Sequence, residues 1–372
     1  QRNDRPGWGL SMLWFRRKAR RVNLALQGGG AHGAFTWGVL DQLLLDETTA
    51  VGWVSGTSAG ALNAVAVAHG LASGGRQVAR ETLETVWGDV EAAGVPDLLS
   101  LNPLLLSFTR SAPMANLNGL LSPYSFNPLG FDPLRKILEK HIDFDAIRRN
   151  AAVRVSVAAT DVATGKARLF SGTDLTIDAV LASACLPTLH HAVMIDGRAY
   201  WDGGFSANPD LLSLALESPV KDTLMVLLNP LLAPDVPRTA REIEDRVNTI
   251  TFNQPLLRDI DTIVRAKTMQ PGWFAPRGTA LARLKRHRFH LIEAGVHTAE
   301  LGAETKVIPD RAVLRQLYMA GLLEAERWLS RHARFVGRRG TVSLQDHFSV
   351  QSDAPSRPAV AGEPVERLAR SA

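Results

Sequence analysis

Gly56-Thr57-Ser58-Ala59-Gly60 joins two apolar runs, Val51-Gly52-Trp53-Val54 before it and Ala61-Leu62-Asn63-Ala64-Val65-Ala66-Val67-Ala68 after it. The first run has the length of a buried strand, and the second the length and composition of a buried helix. A serine between small residues at a strand-to-helix junction is the pattern of a nucleophile elbow, a turn tight enough to strain the serine backbone and lift its hydroxyl clear of the sheet. Gly56 and Gly60 are then needed where a Cβ would collide with the opposite arm of the turn. Ser58 is the candidate nucleophile. The same five residues also suit an ordinary Gly-Ser turn, so the reading depends on what surrounds them.

Upstream, Val22-Asn23-Leu24-Ala25-Leu26 reads as an apolar strand that runs into Gln27-Gly28-Gly29-Gly30-Ala31-His32-Gly33 and then a helix with Phe35, Val39, Leu40, Leu43 and Leu44 as apolar positions. Together with the elbow this gives β-α-β-α, which predicts a parallel sheet with helices on both faces. Further strands are expected at Val153 to Ala159, Leu224 to Leu228 and Phe289 to Ile292. Ile243, Val247 and Ile250 recur at helical spacing and are expected to pack on the sheet. An amphipathic closing helix carrying Val313, Leu314, Leu317, Tyr318, Ala325 and Trp328 begins after Pro309.

A chain of 372 residues, 45% hydrophobic and 21% charged, suits one large α/β domain with extensions or two small ones. The formal charge of +5 comes from basic residues scattered except at the two ends, without an aromatic-basic stripe, so no nucleic-acid partner is expected. Cys185 is the single cysteine, which excludes an internal disulfide and fits a reducing compartment such as the cytoplasm, although a protein lacking disulfides can also be exported. At the N-terminus the apolar run Trp8 to Phe15 precedes the basic run Arg16 to Arg21, the reverse of a secretory signal, and is too short to span a bilayer. Its tryptophans and arginines suit either peripheral contact with an anionic lipid surface or a solvated tail. The chain thus divides into an extension over 1–20, a main domain over 21–336 and a disordered tail over 337–372, rich in Arg, Ser, Pro and Ala. Within the main domain, 90–135 crowds leucines (Leu98, Leu99, Leu101, Leu104 to Leu106) before prolines at 113, 123, 128 and 133. This predicts an apolar cap over the site, with a pair of short core helices as the alternative.

Acyl transfer needs a nucleophile, a proton acceptor and donors aimed at the oxyanion. Without side chains at Gly28, Gly29 and Gly30, successive amides can converge at a helix N-terminus, where the dipole favours negative charge. The same loop fits the dinucleotide spacing G-x-G-x-x-G through Gly28, Gly30 and Gly33. That reading requires an acid at the end of the second strand, whereas Asp46 and Glu47 precede that strand and the strand ends at the Ser58 elbow. For the base, Asp202 in Asp202-Gly203-Gly204, after Tyr200 and Trp201, is a carboxylate on a glycine-hinged turn that desolvation would make a proton acceptor. Asp-Gly is also a common surface turn. A serine-acid-histidine arrangement using His287, His290 or His297 stays open.

With these motifs assembled, the chain resembles the patatin-like phospholipases over roughly Val22 to Trp328. The glycine loop, the Ser58 elbow, Ala182-Ser183-Ala184-Cys185-Leu186-Pro187 and the Asp202-Gly203-Gly204 turn occur in that family's order. The resemblance implies a three-layer α/β/α fold on a mainly parallel sheet and a Ser58-Asp202 dyad without histidine. It also implies an oxyanion hole at Gly28 to Gly30, phospholipid, lysophospholipid or other acyl-ester substrates, and no metal or cofactor. A non-catalytic lipid-binding protein on the same fold is the alternative. Gln27 stands where the family often has an acid and His32 where it often has Arg or Lys, so His32 is expected to make activity lower or pH-dependent.

Overall fold

The structure, a computed structural model, describes residues 19–93, 122–128, 130–150, 153–233, 235–269, 278–299, 301, 304–307 and 309–349. Most of the proposed cap, the first eighteen residues and the last twenty-three lie outside the described residues.

The expected β-α-β-α opening forms as Arg20–Leu26 (β1), Gly33–Leu45 (α1), Thr49–Thr57 (β2) and Ala59–Ser73 (α2). Nearly every residue of α1 and α2 is buried, which is why neither sequence has a polar face. Arg76–Ala93 (α3) lies outside them and buries the stripe Ala79, Thr82, Leu83, Val86 and Trp87. The chain then builds Val155–Asp161 (β3), Ala167–Ser171 (β4), the helix Ile177–Ser183 (α4), Val193–Ile195 (β5), Arg198–Asp202 (β6) and Asp222–Leu227 (β7). Ala240–Thr268 (α5), Arg288–Glu293 (β8) and Arg311–Arg331 (α6) complete the core.

The eight strands form one sheet in the order β5-β6-β3-β2-β1-β7-β8, with β4 paired to β3. The β3-β2-β1-β7-β8 run is parallel, and β4, β5 and β6 join antiparallel, making the sheet mixed. Alternation along the strands sorts the core into two layers. Leu24, Leu26, Leu224 and Val226 pack with α1, α2, α3 and α6, while Ala25, Met225 and Leu227 pack with α5. The fold is therefore three-layer α/β/α. The closing helix α6 crosses α1 at backbone contact, since a Cβ on Gly38 would lie 2.0 Å from the Tyr318 carbonyl oxygen and one on Gly321 2.0 Å from that of Phe35.

Three features differ from expectation. β5 and β6 are joined by Asp196-Gly197, both at positive φ (50° and 75°) between the paired residues Ile195 and Arg198, the two-residue Asp-Gly hairpin turn. Ile243, Val247 and Ile250 do not pack on the sheet and are 46%, 57% and 42% exposed. Helix α5 has 29 residues, about 43 Å of rise, and only its second half, with Leu256, Ile260, Ile263 and Ala266 buried, covers strands about 20 Å long. The tail expected from Gly337 is folded as far as Ser349. Thr341 donates its amide to the Phe289 carbonyl at 3.0 Å, and Leu344 at the start of the helix Leu344–Ser349 is buried. Its polar composition concealed strand-edge pairing, which needs backbone and no apolar side chains. Among the described residues no helix is long and apolar enough to cross a membrane.

Candidate active site

Ser58 sits between β2 and α2 at φ 54° and ψ −123°, a conformation that costs on the order of 1–3 kcal/mol for a residue with a Cβ. Close backbone approach accounts for both elbow glycines, at Gly56 from across the turn and at Gly60 from the neighbouring strand β1. A Cβ on Gly56 would lie 2.4 Å from the Gly60 carbonyl oxygen, and one on Gly60 2.2 Å from that of Leu26. The serine backbone is held on both sides. Its carbonyl accepts from the amides of Ala61 (2.8 Å) and Leu62 (3.1 Å), and its own amide donates to the Ser183 hydroxyl at 2.9 Å. Ser183 thus supplies a role for the Ala182-to-Pro187 motif that the sequence left unassigned.

Asp202 ends β6, opposite Ala159 of β3. Its amide donates to the Cys185 carbonyl at 2.8 Å, and its carbonyl accepts from the Thr160 hydroxyl at 2.7 Å. The side chain is fully buried, with Oδ1 accepting from the Gly204 amide at 2.7 Å and Oδ2 in no completed hydrogen bond. Burial pushes the carboxyl up to about 7, against the opposing pull of the Gly204 amide and the Ser58 hydroxyl. The Ser58 hydroxyl therefore faces this carboxylate closely enough to affect its acidity. The aspartate turn abuts the elbow, since a Cβ on Gly203 would lie 2.1 Å from the Ala158 carbonyl oxygen and 3.0 Å from Thr57 Cγ2. Thr57 also donates its hydroxyl to the Ala207 carbonyl at 2.6 Å.

The glycine loop lies over the same serine. A Cβ on Gly28 would sit 2.9 Å from Ser58 Cβ and 2.8 Å from the Thr57 carbonyl oxygen. Its three amides are not equivalent, however. Gly28 donates to Asn208 Oδ1 at 2.7 Å, which removes it from the expected set of oxyanion donors. No hydrogen bond among the described residues occupies the amides of Gly29 or Gly30, which lead into the 3-10 turn Gly30–His32 and the N-terminus of α1. Asn208 also donates to the Phe252 carbonyl at 3.0 Å, tying the loop to α5.

Gln27 is buried, with Oε1 accepting from the amides of Leu228 (2.7 Å) and Asn229 (2.9 Å) and Nε2 donating to Asn253 Oδ1 at 3.1 Å. A carboxylate could accept the first two bonds but could not donate the third, so the departure at this position is structural. His32 is buried against the Thr305 hydroxyl at 2.7 Å, and burial, reinforced by the Lys306 ammonium, drops it to about 3. It is neutral at ordinary pH, which removes the expectation that it makes activity pH-dependent near neutrality. Lys306, whose carbonyl lies against Gly30, brings a cation to this loop from 274 residues further along than His32.

None of the three candidate histidines pairs with Ser58. His287 bonds Thr223 (2.7 Å), His290 bonds Asp222 (3.2 Å) and Thr341 (2.9 Å), and His297 bonds Glu324 (3.4 Å). His287 and His290 lie at the start of β8, whereas Ser58 follows the far end of the parallel strand β2. The dinucleotide reading also loses its acid. Thr57 ends β2, and Asp46 caps the α1-to-β2 turn through Thr48 and Thr49. Among the described residues no three His, Cys, Asp or Glu side chains converge as a metal site requires. Of the cap, the described end at Pro123 and Tyr124 rests on His191, six residues beyond Cys185, with the Tyr124 and His191 rings 4.1 Å apart.

Comparison with known proteins places this arrangement. The crystal structure of VipD from Legionella pneumophila aligns over 84% of this chain and 67% of that chain, at 16% identity and a TM-score of 0.43. No curated protein sequence is significantly similar. A family model described as patatin-like phospholipase matches residues 24–215, more than half of the 372 residues, and spans the glycine loop, the elbow and the aspartate turn. The chain therefore belongs to the patatin-like phospholipase family, whose members generally are lipid acyl hydrolases.

Proposed function

We propose that the protein is a serine acyl hydrolase that releases fatty acids from phospholipids or lysophospholipids through Ser58 and Asp202. The observation that carries this reading is the Asp202 carboxyl, fully buried, fixed at one oxygen and unpaired at the other, and near enough to the Ser58 hydroxyl for its proton affinity to be lowered by it. Ser58 attacks the ester carbonyl while Asp202 takes its proton. The amides of Gly29 and Gly30, with the N-terminus of α1 behind them, receive the negative charge on the carbonyl oxygen. Asp202 then returns the proton to the leaving alcohol, and water releases the acyl group by the same steps in reverse order. Asn208 keeps Gly28 out of the donor set and holds the loop against α5.

Labelling the protein with a fluorophosphonate and mapping the modified peptide tests the reading directly. The adduct is expected on Ser58, blocked by prior heating. Lipid binding by a folded protein that takes up no label would instead leave a non-catalytic lipid-binding protein.

Because Asp202 must be ionised to act as base, kcat/KM is expected to rise with pH through about 7. His32→Gln should leave that limb in place, since His32 does not titrate between pH 5 and 8. Loss of the limb in His32→Gln, measured on a soluble acyl ester, would assign it to the histidine and remove it from Asp202.

A further inference from the structure

The start of β8 opens into a cavity of about 580 Å³ at the end of the sheet away from Ser58. Three strand spacings and the length of β8 put the two places about 25 Å apart. Lys267 at the end of α5, Lys285 and Arg286 on the helix Ala280–Arg286, Arg288 on β8, and His332 and Arg339 after α6 line it, and among the described residues no acidic side chain does.

Among the described residues Arg288 is neutralised by a carboxylate. Arg288 meets Asp222 with two bonds of 2.8 and 2.6 Å, and Asp222 is held well below the usual carboxylate range by this guanidinium and His290, which outweigh its burial. Among the described residues no carboxylate pairs with Lys267, Lys285 or Arg339. They are held by groups that orient a cation without cancelling it. Lys267 donates to the His287 carbonyl at 2.8 Å and lies 5.1 Å from the Phe289 ring centroid, and Arg339 stacks 4.1 Å from that of Phe335. Lys285 donates to the Met269 carbonyl. Partial burial pulls the Lys267 ammonium below its usual range, with no anion opposing the shift. The cost of holding these like charges around one space falls when a multiply charged anion enters it.

We propose that this cavity is a second ligand site that binds a phosphate-bearing anion. Several cations and Ser343 in one lining match the charge and acceptor number of a phosphomonoester or pyrophosphate better than a single carboxylate. A soluble polyphosphate and the phosphorylated headgroup of an anionic lipid present the same chemistry. The site is independent of the acyl chemistry at Ser58. Part of its wall, Arg339 to Ser343, comes from the segment that composition alone marked as disordered.

Thermal unfolding of the full chain with increasing pyrophosphate, at constant ionic strength set by chloride, tests the soluble source. Flotation with phosphatidylcholine vesicles, with and without a phosphoinositide, tests the lipid source. Lys285→Gln combined with Arg339→Gln is expected to weaken whichever response occurs by about tenfold or more while leaving fluorophosphonate labelling of Ser58 intact. Lys267→Met should abolish the response and raise the Tm of the ligand-free protein, because a poorly solvated charge is gone. A pyrophosphate-dependent rise in Tm that the variants lose supports a soluble ligand, and phosphoinositide-dependent flotation that they lose supports a headgroup. No response to either, or responses the double variant retains in full, overturns the site.

Discussion

Ser58→Ala is expected to lower kcat for fatty-acid release by about 10⁴-fold or more, because loss of the nucleophile leaves only substrate binding and the amide donors. The substitution keeps a Cβ at φ 54° and ψ −123°, so thermal stability should stay close to that of the parent. Ser58→Gly should be as inactive and yet more stable. Relief of on the order of 1–3 kcal/mol of backbone strain outweighs the roughly 0.5–1 kcal/mol that glycine costs through the flexibility of the unfolded chain. The comparison separates strain from chemistry. Equal Tm values for the alanine and glycine variants would show that the elbow stores no strain, and release of fatty acid by either at the parental rate would end the role of Ser58.

Asp202→Asn should also abolish hydrolysis, by about 10³-fold or more, since the amide cannot take the serine proton. Its effect on stability carries the stronger signature. Burial raises the Asp202 carboxyl from 3.8 in the unfolded chain to about 7 in the folded protein. Between those values the folded protein holds a proton that the unfolded chain has released, so stability falls as pH rises through this window. Above about pH 7 the folded state carries the whole penalty of a buried carboxylate, on the order of a few kcal/mol. Asparagine keeps the acceptor for the Gly204 amide and removes the charge. The variant should therefore unfold at a higher temperature than the parent at pH 8 and at nearly the same temperature at pH 4. An equal gap at both pH values would contradict the assignment of the raised acidity constant to Asp202.

Much of the fold was legible because its signals are local. The strands β1, β2, β7 and β8 and the helices α1 and α2 each carry a mostly apolar stretch, and each lies within a few residues of its expected place. The antiparallel strands were harder. β4 and β5 are short and half-exposed, so neither has a sustained apolar pattern, although Asp196-Gly197 marks the hairpin that carries Asp202 into position. The spacing of Ile243, Val247 and Ile250 correctly signals a helix. Which part of that helix meets the sheet depends on where the sheet ends, and no local pattern encodes that.

The sequence by itself determined the order of the motifs and the tight turn at Gly56, because that turn rests on a steric demand between residues close in the chain, Gly56 against Gly60, whereas Gly60 and Gly203 are fixed by distant backbone. Only the tertiary structure decided what each group at the site does. It gave the Gly28 amide to Asn208, matched Gln27 to Asn253 and removed His32 from solution beside Lys306. It also buried Asp202 and raised the proton affinity of its carboxyl. Hydrogen-bond partners and proton affinities depend on which distant segments pack together and exclude water, and that information belongs to the assembled layers rather than to any stretch of chain.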